Sequence, residues 1–289
     1  FIKTKIRIKI KIKRMKKTET GSFRDPNGFV YQQNQKILRQ INQTYFPQFS
    51  KLIESGLYNK LVSKNLLIEH KVISQNNKRI LLEHPKIPFI TYPYEWAFDQ
   101  LKDAALTTLQ IQKIALDYNM TLKDASAYNV QFIGSCPIFI DTLSFDIYEE
   151  GNIWIAYKQF CQHFLSPLVL MAEKDLRLNI MLRDFIDGIP LDLTSKLLPI
   201  SSRFNYSLLS HIHLHAGSQK KMAGKKINKD KYKMSKSQMF SLIQSIESAV
   251  NKIDIKGKQS EWNKYYTFTN YNSKAFKDKR NIVRKYLKQ

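Results

Sequence analysis

Segments with the spacing of strands come first along the chain, and segments with helical spacing dominate its later part. Short apolar and β-branched runs between turn-forming residues predict strands at residues 29–32, 36–41, 66–74, 79–83, 88–91, 130–132 and 138–140. Apolar residues that recur every three or four positions predict helices at residues 46–55, 57–64, 97–118, 238–250 and 275–288. This order, a strand-rich region followed by a long helix, a hairpin and further helices, predicts an α+β fold.

Length and composition are those of a folded chain. The 289 residues are 43% hydrophobic and 12% aromatic, which suffices for a sizeable core. Two cysteines, Cys136 and Cys161, are too few for a disulfide framework, and they favour a reducing, cytoplasmic location. No apolar run approaches the roughly 18 residues of a membrane-spanning helix. We therefore expect no membrane partner.

The nine glycines exclude two common kinds of nucleotide-binding loop. The closest pairs, Gly21 with Gly28 and Gly217 with Gly224, are seven positions apart. Neither G-x-G-x-x-G nor G-x-x-x-x-G-K-[ST] therefore occurs in the chain. A dinucleotide-binding fold and a P-loop are excluded within these residues.

The formal net charge of +23 comes from the two ends of the chain. Residues 21–200 contain 18 Lys or Arg and 18 Asp or Glu, whereas residues 1–20 carry +8 and residues 201–289 carry +15. We interpret residues 1–20 as a basic leader that is disordered or not native, and residues 201–289 as a basic helical extension. Such ends predict weak, nonspecific attraction to polyanions. A basic polyanion-binding module is thus one alternative, although arginine and interleaved aromatic residues are sparse there.

Three polar residues around the predicted hairpin carry the strongest chemical signal. Asn129 follows Asp124 by five residues, and Asp141 comes twelve residues later, after an apolar strand. The catalytic loop of protein kinases and aminoglycoside kinases has the same layout. In that layout Asp124 would be the base that accepts a hydroxyl proton, and Asn129 and Asp141 would hold Mg²⁺, which prefers oxygen ligands.

The flanking segments favour a protein-kinase-like, two-lobed core over residues 21–200. The small lobe would span about 21–91 and the large lobe about 92–200, with residues 88–91 as a hinge-like strand between them. Arg39 is the nearest strand-borne cation. With Asn129 and Asp141 it forms a candidate magnesium–ATP site.

Several positions depart from the kinase pattern. Lys123 stands where kinases carry His or Arg, Thr142-Leu143 replaces Phe-Gly, and the only candidate phosphate-covering loop, residues 25–29, has one glycine. Three interpretations stay open for the polar residues: structural turns, binding of magnesium or nucleotide without transfer, and phosphotransfer. Because no arginine lies nearby in the local sequence, we expect the carboxylates either to take up a divalent cation or to show one raised pKa.

Two other clusters carry weaker signals. His211, His213 and His215 are weak metal-ligand candidates, since no acid or cysteine is near them in sequence and on a helix His213 would point away from the other two. Ordinary helix or interface histidines are the favoured interpretation. The aromatic cluster at residues 92–96 is interpreted as packing between lobes rather than as a ligand surface.

Several longer strings resemble a bacterial family of class I SAM-dependent methyltransferases, some of them called nodulation proteins. The strings are IPFITYPYEW at 87–96, LKDASAYNVQF at 122–132, FIDTLSF at 139–145, AYKQFCQHFL at 156–165 and DGIPLDL at 187–193. The resemblance continues through residues 211–216 and 261–271, and it covers about residues 22–289.

The resemblance implies S-adenosylmethionine as the cofactor of the full-length family. There, the corresponding region is followed by a methyltransferase domain that opens with a strand and an acidic, glycine-containing SAM loop. This chain has no such loop, and we interpret it as a shortened form that does not methylate by itself. The expected function is a substrate-positioning or regulatory N-terminal region, with an unidentified methyl acceptor. A small-molecule phosphotransferase or pseudokinase is the alternative.

Overall fold

The computed structural model describes residues 17–18, 25–214, 233–255 and 269–288. The chain divides into two compact units, residues 1–254 and residues 255–289. Residues 201–254 belong to the first unit. The predicted basic leader and the His215 position lie outside the described residues, except that Lys17 and Thr18 form the first strand.

A five-stranded antiparallel sheet, in the order β1-β2-β3-β5-β4, forms the first part of the larger unit. Its strands are β1 (Lys17–Thr18), β2 (Gly28–Gln33), β3 (Lys36–Asn42), β4 (Lys71–Gln75) and β5 (Arg79–His84). The β2–β3 hairpin turns at Asn34 and Gln35, whose φ angles are 53° and 63°. Positive φ at both central residues suits the right-handed twist of a tight hairpin. The hairpin predicted from sequence is therefore confirmed.

Two short helices, α1 (Phe46–Glu54) and α2 (Leu57–Ser63), connect β3 to β4. Gly56 separates them with a φ of +84°, a conformation that a residue without a side chain adopts at little cost. The chain later forms the long helix α3 (Phe98–Asp117). These three helices confirm the sequence-based predictions to within about two residues at each end.

Two small antiparallel pairs follow α3. Strand β6 (Met120–Leu122) pairs with β9 (Phe145–Ile147), and β7 (Val130–Ile133) pairs with β8 (Cys136–Phe139). The second pair is the predicted hairpin, whereas the three-residue strands β6 and β9 were not predicted. Strands this short carry too little periodicity to be recognised.

Helices form the rest of the described chain. The larger unit continues with α4 (Tyr157–Phe160), a π-helical stretch (Cys161–Leu165), α5 (Ser166–Glu173), α6 (Met181–Asp184), α7 (Leu191–Leu197), α8 (Tyr206–Leu208), a second π-helical stretch (Leu209–Leu214) and α9 (Lys236–Lys252). The smaller unit contains α10 (Ser273–Leu287). The mixture of small antiparallel sheets and helices confirms the α+β prediction in its coarse form.

Helix α9 packs against α3, which explains why the larger unit extends beyond residue 200. Lys113 on α3 forms an ion pair of 2.7 Å with Glu247 on α9. The Lys102 ammonium donates to the carbonyl oxygens of Asn251 and Ile253 at the end of α9. Cations at this position satisfy carbonyl groups that lack helical partners.

The predicted strand at residues 88–91 is wrong, since this segment lies in an irregular connection. Pro88 has no N–H group to donate to a neighbouring strand. Thr91 is held instead by the buried Gln131 side chain on β7. The Gln131 amide accepts from the Thr91 N–H at 3.0 Å and donates to the Thr91 carbonyl at 2.8 Å. These bonds fix the connection to the hairpin without strand pairing.

Candidate functional site

The centre of the candidate site is an ion pair between Arg39 and Asp141. Arg39 lies on the central strand β3, and Asp141 lies two residues beyond the end of β8. The two residues are 102 positions apart in sequence, and their side chains are only 10% and 19% exposed. Arg39 also reaches the carbonyl oxygen of Ile140 at 3.5 Å. The fold thus joins the five-stranded sheet to the segment after the hairpin through opposite charges.

The Asp141 carboxylate has further partners on its own side of the pair. Its two oxygens accept from the Ser144 hydroxyl and from the Leu143 N–H. Burial by itself would raise the pKa of Asp141, but the Arg39 charge and these hydrogen bonds outweigh it and hold that pKa below its usual range. Asp141 is therefore an ionised, neutralised carboxylate.

Asn129 reaches the same group of atoms. Its side-chain amide donates to the Ser144 hydroxyl oxygen at 3.1 Å, and that hydroxyl donates in turn to Asp141. Asn129 and Asp141 therefore lie on the same side of the hairpin.

Asp124 lies close enough to Asp141 for the negative charge of Asp141 to affect its pKa. One of its oxygens accepts from the Ser126 N–H at 3.0 Å and from the Gln159 side chain at 2.9 Å. Burial raises the pKa of Asp124, and the Asp141 charge adds to that effect. A raised pKa in an acid beside an anchored carboxylate is typical of functional clefts, although structural networks produce it too.

The local sequence holds no arginine near these carboxylates, but the fold brings Arg39, 102 positions away, to Asp141, which it neutralises. The expectation that one carboxylate has a raised pKa agrees with Asp124. Ser144 and Gln159 were not identified from sequence. The D-x-x-S spacing of Asp141 and Ser144 is a signal that could have revealed the first of them.

Apolar packing fixes the position of the Asp141 segment. Leu143 is 1% exposed and packs into a cluster with Ile41, Ile80 and Leu82 of the sheet, Phe49 of α1 and Tyr45, which directly precedes α1. The buried Tyr45 hydroxyl donates to the carbonyl oxygen of Phe145 at 2.6 Å and lies 3.2 Å from that of Thr142. The Lys123 ammonium lies 4.7 Å from the centre of the Tyr45 ring. The turn that carries Asp141 is therefore anchored to the sheet at several points.

Two histidines, the buried His84 and the half-buried His70, lie near Arg39. The rings of His70 and His84 are 5.6 Å apart, and His84 Nδ1 is 3.1 Å from the carbonyl oxygen of Glu69. Burial and then the Arg39 charge lower the pKa of His84 to about 3 and that of His70 to about 4. Both rings are therefore neutral near pH 7, so Arg39 is the cation of this cluster.

The candidate phosphate-covering segment, residues 25–29, is held against the sheet by hydrogen bonds and does not form an open loop. The Asn27 N–H donates to Asp25 Oδ1 at 2.8 Å, and the Asn27 carbonyl accepts from the Asn42 N–H at 2.7 Å. A Cβ on Gly28 would lie 2.1 Å from the Gln40 carbonyl oxygen and 2.9 Å from Leu143 Cδ1. This close packing leaves the segment on the sheet beside Leu143, where it supports the Asp141 turn.

The histidines of the later cluster have hydroxyl partners. His211 Nδ1 lies 2.8 Å from the Tyr157 hydroxyl and its Nε2 lies 3.0 Å from Ser245 Oγ. His213 bridges Ser195 and Ser202 at 2.7 and 2.9 Å. In the described part of the chain, no group of three or more His, Cys, Asp or Glu side chains is arranged to hold a metal ion. The favoured interpretation of these histidines, as links between helices, agrees with these contacts.

Comparison with known proteins gives one curated relative of note. The chain is similar to nodulation protein NoeA of Rhizobium meliloti (strain 1021), with 34% identity over 288 aligned positions that cover 93% of this chain. The chain spans 59% of the length of that protein. No family model matches the chain. Among solved structures, vaccinia related kinase 3 is similar with a TM-score of 0.37 and 11% identity, over 81% of this chain and 88% of that one.

Proposed function

We propose that this chain is a regulatory or substrate-positioning region of a nodulation-type, SAM-dependent methyltransferase. We further propose that it acts by binding a magnesium nucleotide at Arg39, Asp124, Asn129 and Asp141, without efficient phosphoryl transfer. The observation that carries the second part is the Arg39–Asp141 ion pair between β3 and the turn after β8. A strand-borne cation beside the second acid of a D-x-x-x-x-N layout is what phosphate binding with Mg²⁺ uses in kinases.

Binding would proceed by exchange of partners within the ion pair. Nucleotide phosphates would bind the Arg39 guanidinium. The Mg²⁺ that accompanies them would be coordinated by the Asp141 carboxylate and the Asn129 side-chain oxygen. Each buried charge then keeps an opposite charge beside it, so no uncompensated ion is left in a site of low dielectric constant. Mg²⁺ alone would leave Arg39 without a partner. This predicts that the metal and the nucleotide bind together.

Chemistry beyond binding is disfavoured by the surroundings of the site. Asp124, the candidate base, already accepts from Ser126 and Gln159. The segment at residues 25–29 is bonded to β3 rather than open above the site. Phosphoryl transfer depends on positioning and charge stabilisation, and both are incomplete here. The phosphotransferase alternative therefore ranks second.

The methyltransferase part of the proposal comes from the sequence resemblance and from the similarity to a nodulation protein of which this chain spans 59%. Methyl transfer by the whole protein would need a SAM site, and these 289 residues contain no glycine-containing loop of the usual kind. The chain alone is therefore expected to bind no SAM.

Calorimetric titration of the full chain with SAM and, separately, with magnesium–ATP tests both parts. We expect no heat of binding with SAM and one-to-one binding with magnesium–ATP, together with no measurable ATP hydrolysis over hours. One-to-one SAM binding in the micromolar range would contradict the first part. Fast turnover of ATP would favour the phosphotransferase.

A further inference from the structure

Helix α10 (Ser273–Leu287) differs from the other long helices because none of its residues is buried. It begins at a well-formed cap, where the Asn272 side chain accepts from the Ala275 N–H at 2.8 Å. Four large apolar side chains are exposed on its last two turns, with exposed fractions of 57% for Ile282, 46% for Val283, 71% for Tyr286 and 81% for Leu287.

The helix has one apolar side and one basic side. At 100° per residue, a single arc of roughly 140° contains the apolar positions Ala275, Phe276, Ile282, Val283, Tyr286 and Leu287. The opposite arc contains Lys274, Lys277, Arg280, Arg284 and Lys285, with Asp278 as the acidic residue of the helix. Lys279, which falls within the apolar arc, has its ammonium 4.7 Å from the centre of the Tyr271 ring. Lys279 is thus the exception, near the centre of the apolar arc, and the other five basic residues lie apart from the apolar side chains.

A helix of this length gains little stability from hydrogen bonds and residue preferences alone. Isolated helices of about 12–15 residues are marginal in water, and most helices in proteins are stabilised by burial of an apolar face. The six Lys and Arg side chains of the helix also repel one another, and only one Asp offsets their charge. A surface that covers the apolar arc and neutralises the basic arc would relieve both problems.

We infer that α10 is an interfacial helix that binds the surface of membranes containing anionic phospholipids. Such a surface offers acyl chains to the apolar arc and phosphates to the basic arc at the same time. Nucleic acid would satisfy the basic arc and leave Val283 and Leu287 in water. A second copy of α10 would cover the apolar arc but leave both basic arcs without opposite charge. The charge pattern therefore favours anionic lipid.

An interfacial role for α10 departs from the sequence-based expectation that the protein has no membrane partner. That expectation rested on the absence of a spanning segment, and no helix in the described ranges combines the length and apolarity needed to cross a bilayer. A helix that lies in the interface needs neither property. Its signature is a wide separation of apolar and basic side chains in a helix rich in charged residues, and α10 has both features.

Co-sedimentation of the full chain with vesicles tests the inference. Vesicles of phosphatidylcholine alone should bind little protein, and vesicles of phosphatidylcholine mixed with phosphatidylglycerol should bind it well. The double variant Val283→Asp/Leu287→Asp should lose at least about tenfold in affinity for the mixed vesicles, because two apolar side chains are no longer buried. The matched control is Ile200→Asp/Phe204→Asp, which changes two residues of the larger unit that are 78% and 89% exposed.

Charge is tested with a second pair of variants. Arg284→Glu/Lys285→Glu should weaken binding to the mixed vesicles far more than Lys60→Glu/Lys64→Glu does. The second variant is the control, because it changes the net charge by the same amount at two exposed lysines, one in α2 and one directly after it. Val283→Ser/Leu287→Ser, which removes the same apolar side chains without adding charge, should weaken binding to mixed vesicles and leave binding of duplex DNA unchanged. If that variant bound mixed vesicles as well as the wild type, the attraction would come from other basic segments and the inference would be wrong. Equal losses in the α10 variants and their controls would also overturn it.

Discussion

The Arg39–Asp141 pair decides the energetics of the candidate site at the scale of single residues. Both side chains are largely buried, so neither charge is well solvated if its partner is removed. Breaking a buried pair costs about 3–5 kcal/mol, whereas replacing both partners costs much less. Each partner is therefore needed mainly because the other charge is buried beside it.

Arg39→Met should lower the free energy of unfolding by about 3–5 kcal/mol, because it leaves Asp141 buried without a counter-charge. The double variant Arg39→Met/Asp141→Asn should be more stable than the sum of the two single changes predicts, by about 0.5–3 kcal/mol. Urea unfolding of the wild type and the three variants measures this coupling. Additive losses would mean that the two side chains do not stabilise each other.

The buried histidines make stability depend on pH. Burial lowers the pKa of His84 to about 3, and those of His70 and His163 to about 4, below the ordinary value of about 6.5. Between these values the unfolded chain binds protons that the folded chain does not. Stability is therefore fully present above about pH 6.5 and is lost as the pH falls towards 4.

We expect the free energy of unfolding to decrease from pH 7 to pH 5, by up to about 1.4 kcal/mol per pH unit for each histidine. His84→Leu should reduce this slope by the contribution of one histidine. This expectation does not depend on how much the substitution changes the free energy of unfolding at pH 7. Urea unfolding at several pH values gives the slope directly. A slope that is the same in the wild type and His84→Leu would contradict the assignment of His84 as a buried neutral group.

At the scale of elements, Gly28 determines how closely β2 approaches β3 and the Asp141 turn. A Cβ at this position would lie 2.1 Å from the Gln40 carbonyl oxygen, which belongs to a paired strand and cannot move cheaply. The same Cβ would touch Leu143, which positions Asp141 through the backbone. The glycine therefore contributes to the geometry of the site without touching a ligand.

Gly28→Ala should destabilise the protein by more than about 2 kcal/mol, because overpacking against backbone forces a local shift. Gly134→Ala is the matched control, since a Cβ there meets no atom within 4 Å and only the positive φ of 62° is costly. That control should lose about 1–2 kcal/mol. Thermal unfolding of both variants measures the difference, and equal losses would show that the contact at Gly28 is not restrictive.

The sequence predicted elements well where periodicity or turn chemistry was strong. The β2–β3 hairpin, α1, α2, α3 and α9 agree with it, because Asn34, Gly56 and long apolar stripes leave few alternatives. It failed at residues 88–91, where apolar content indicated a strand but Pro88 and the Gln131 side chain decide the conformation. The three-residue strands β6 and β9 depend on tertiary contacts and were missed for that reason.

For the site, the sequence identified Asp124, Asn129 and Asp141 from their spacing, and Arg39 from its place on a strand. It could not show that Arg39 neutralises Asp141, since that contact joins residues 102 positions apart. It also missed the Ser144 hydroxyl that links Asn129 to Asp141. Spacing reveals candidate ligands, but the charge balance among them depends on the folded chain.

At the scale of the whole molecule, the net charge of +23 is distributed unevenly along the chain. The nearly neutral stretch, residues 21–200, contains the candidate nucleotide site, and the basic residues concentrate before and after it. Helix α10 accounts for five of the fifteen net positive charges that follow residue 200. The proposed nucleotide site and the proposed lipid-binding helix therefore belong to stretches of the chain with different charge.

The melting temperature of the full chain, measured with Mg²⁺ alone, ATP alone and both together, tests the exchange at Arg39 and Asp141 most directly. A ligand at a hundredfold excess over its dissociation constant adds about 2.7 kcal/mol, which corresponds to several degrees for a chain of this size. We expect that rise for the wild type only when Mg²⁺ and ATP are both present. Asp146→Asn, an acid-to-amide change five residues beyond Asp141, should keep the rise, and Asp141→Asn should lose it. A rise that survives in Asp141→Asn, or no rise in the wild type, would contradict the proposed nucleotide site.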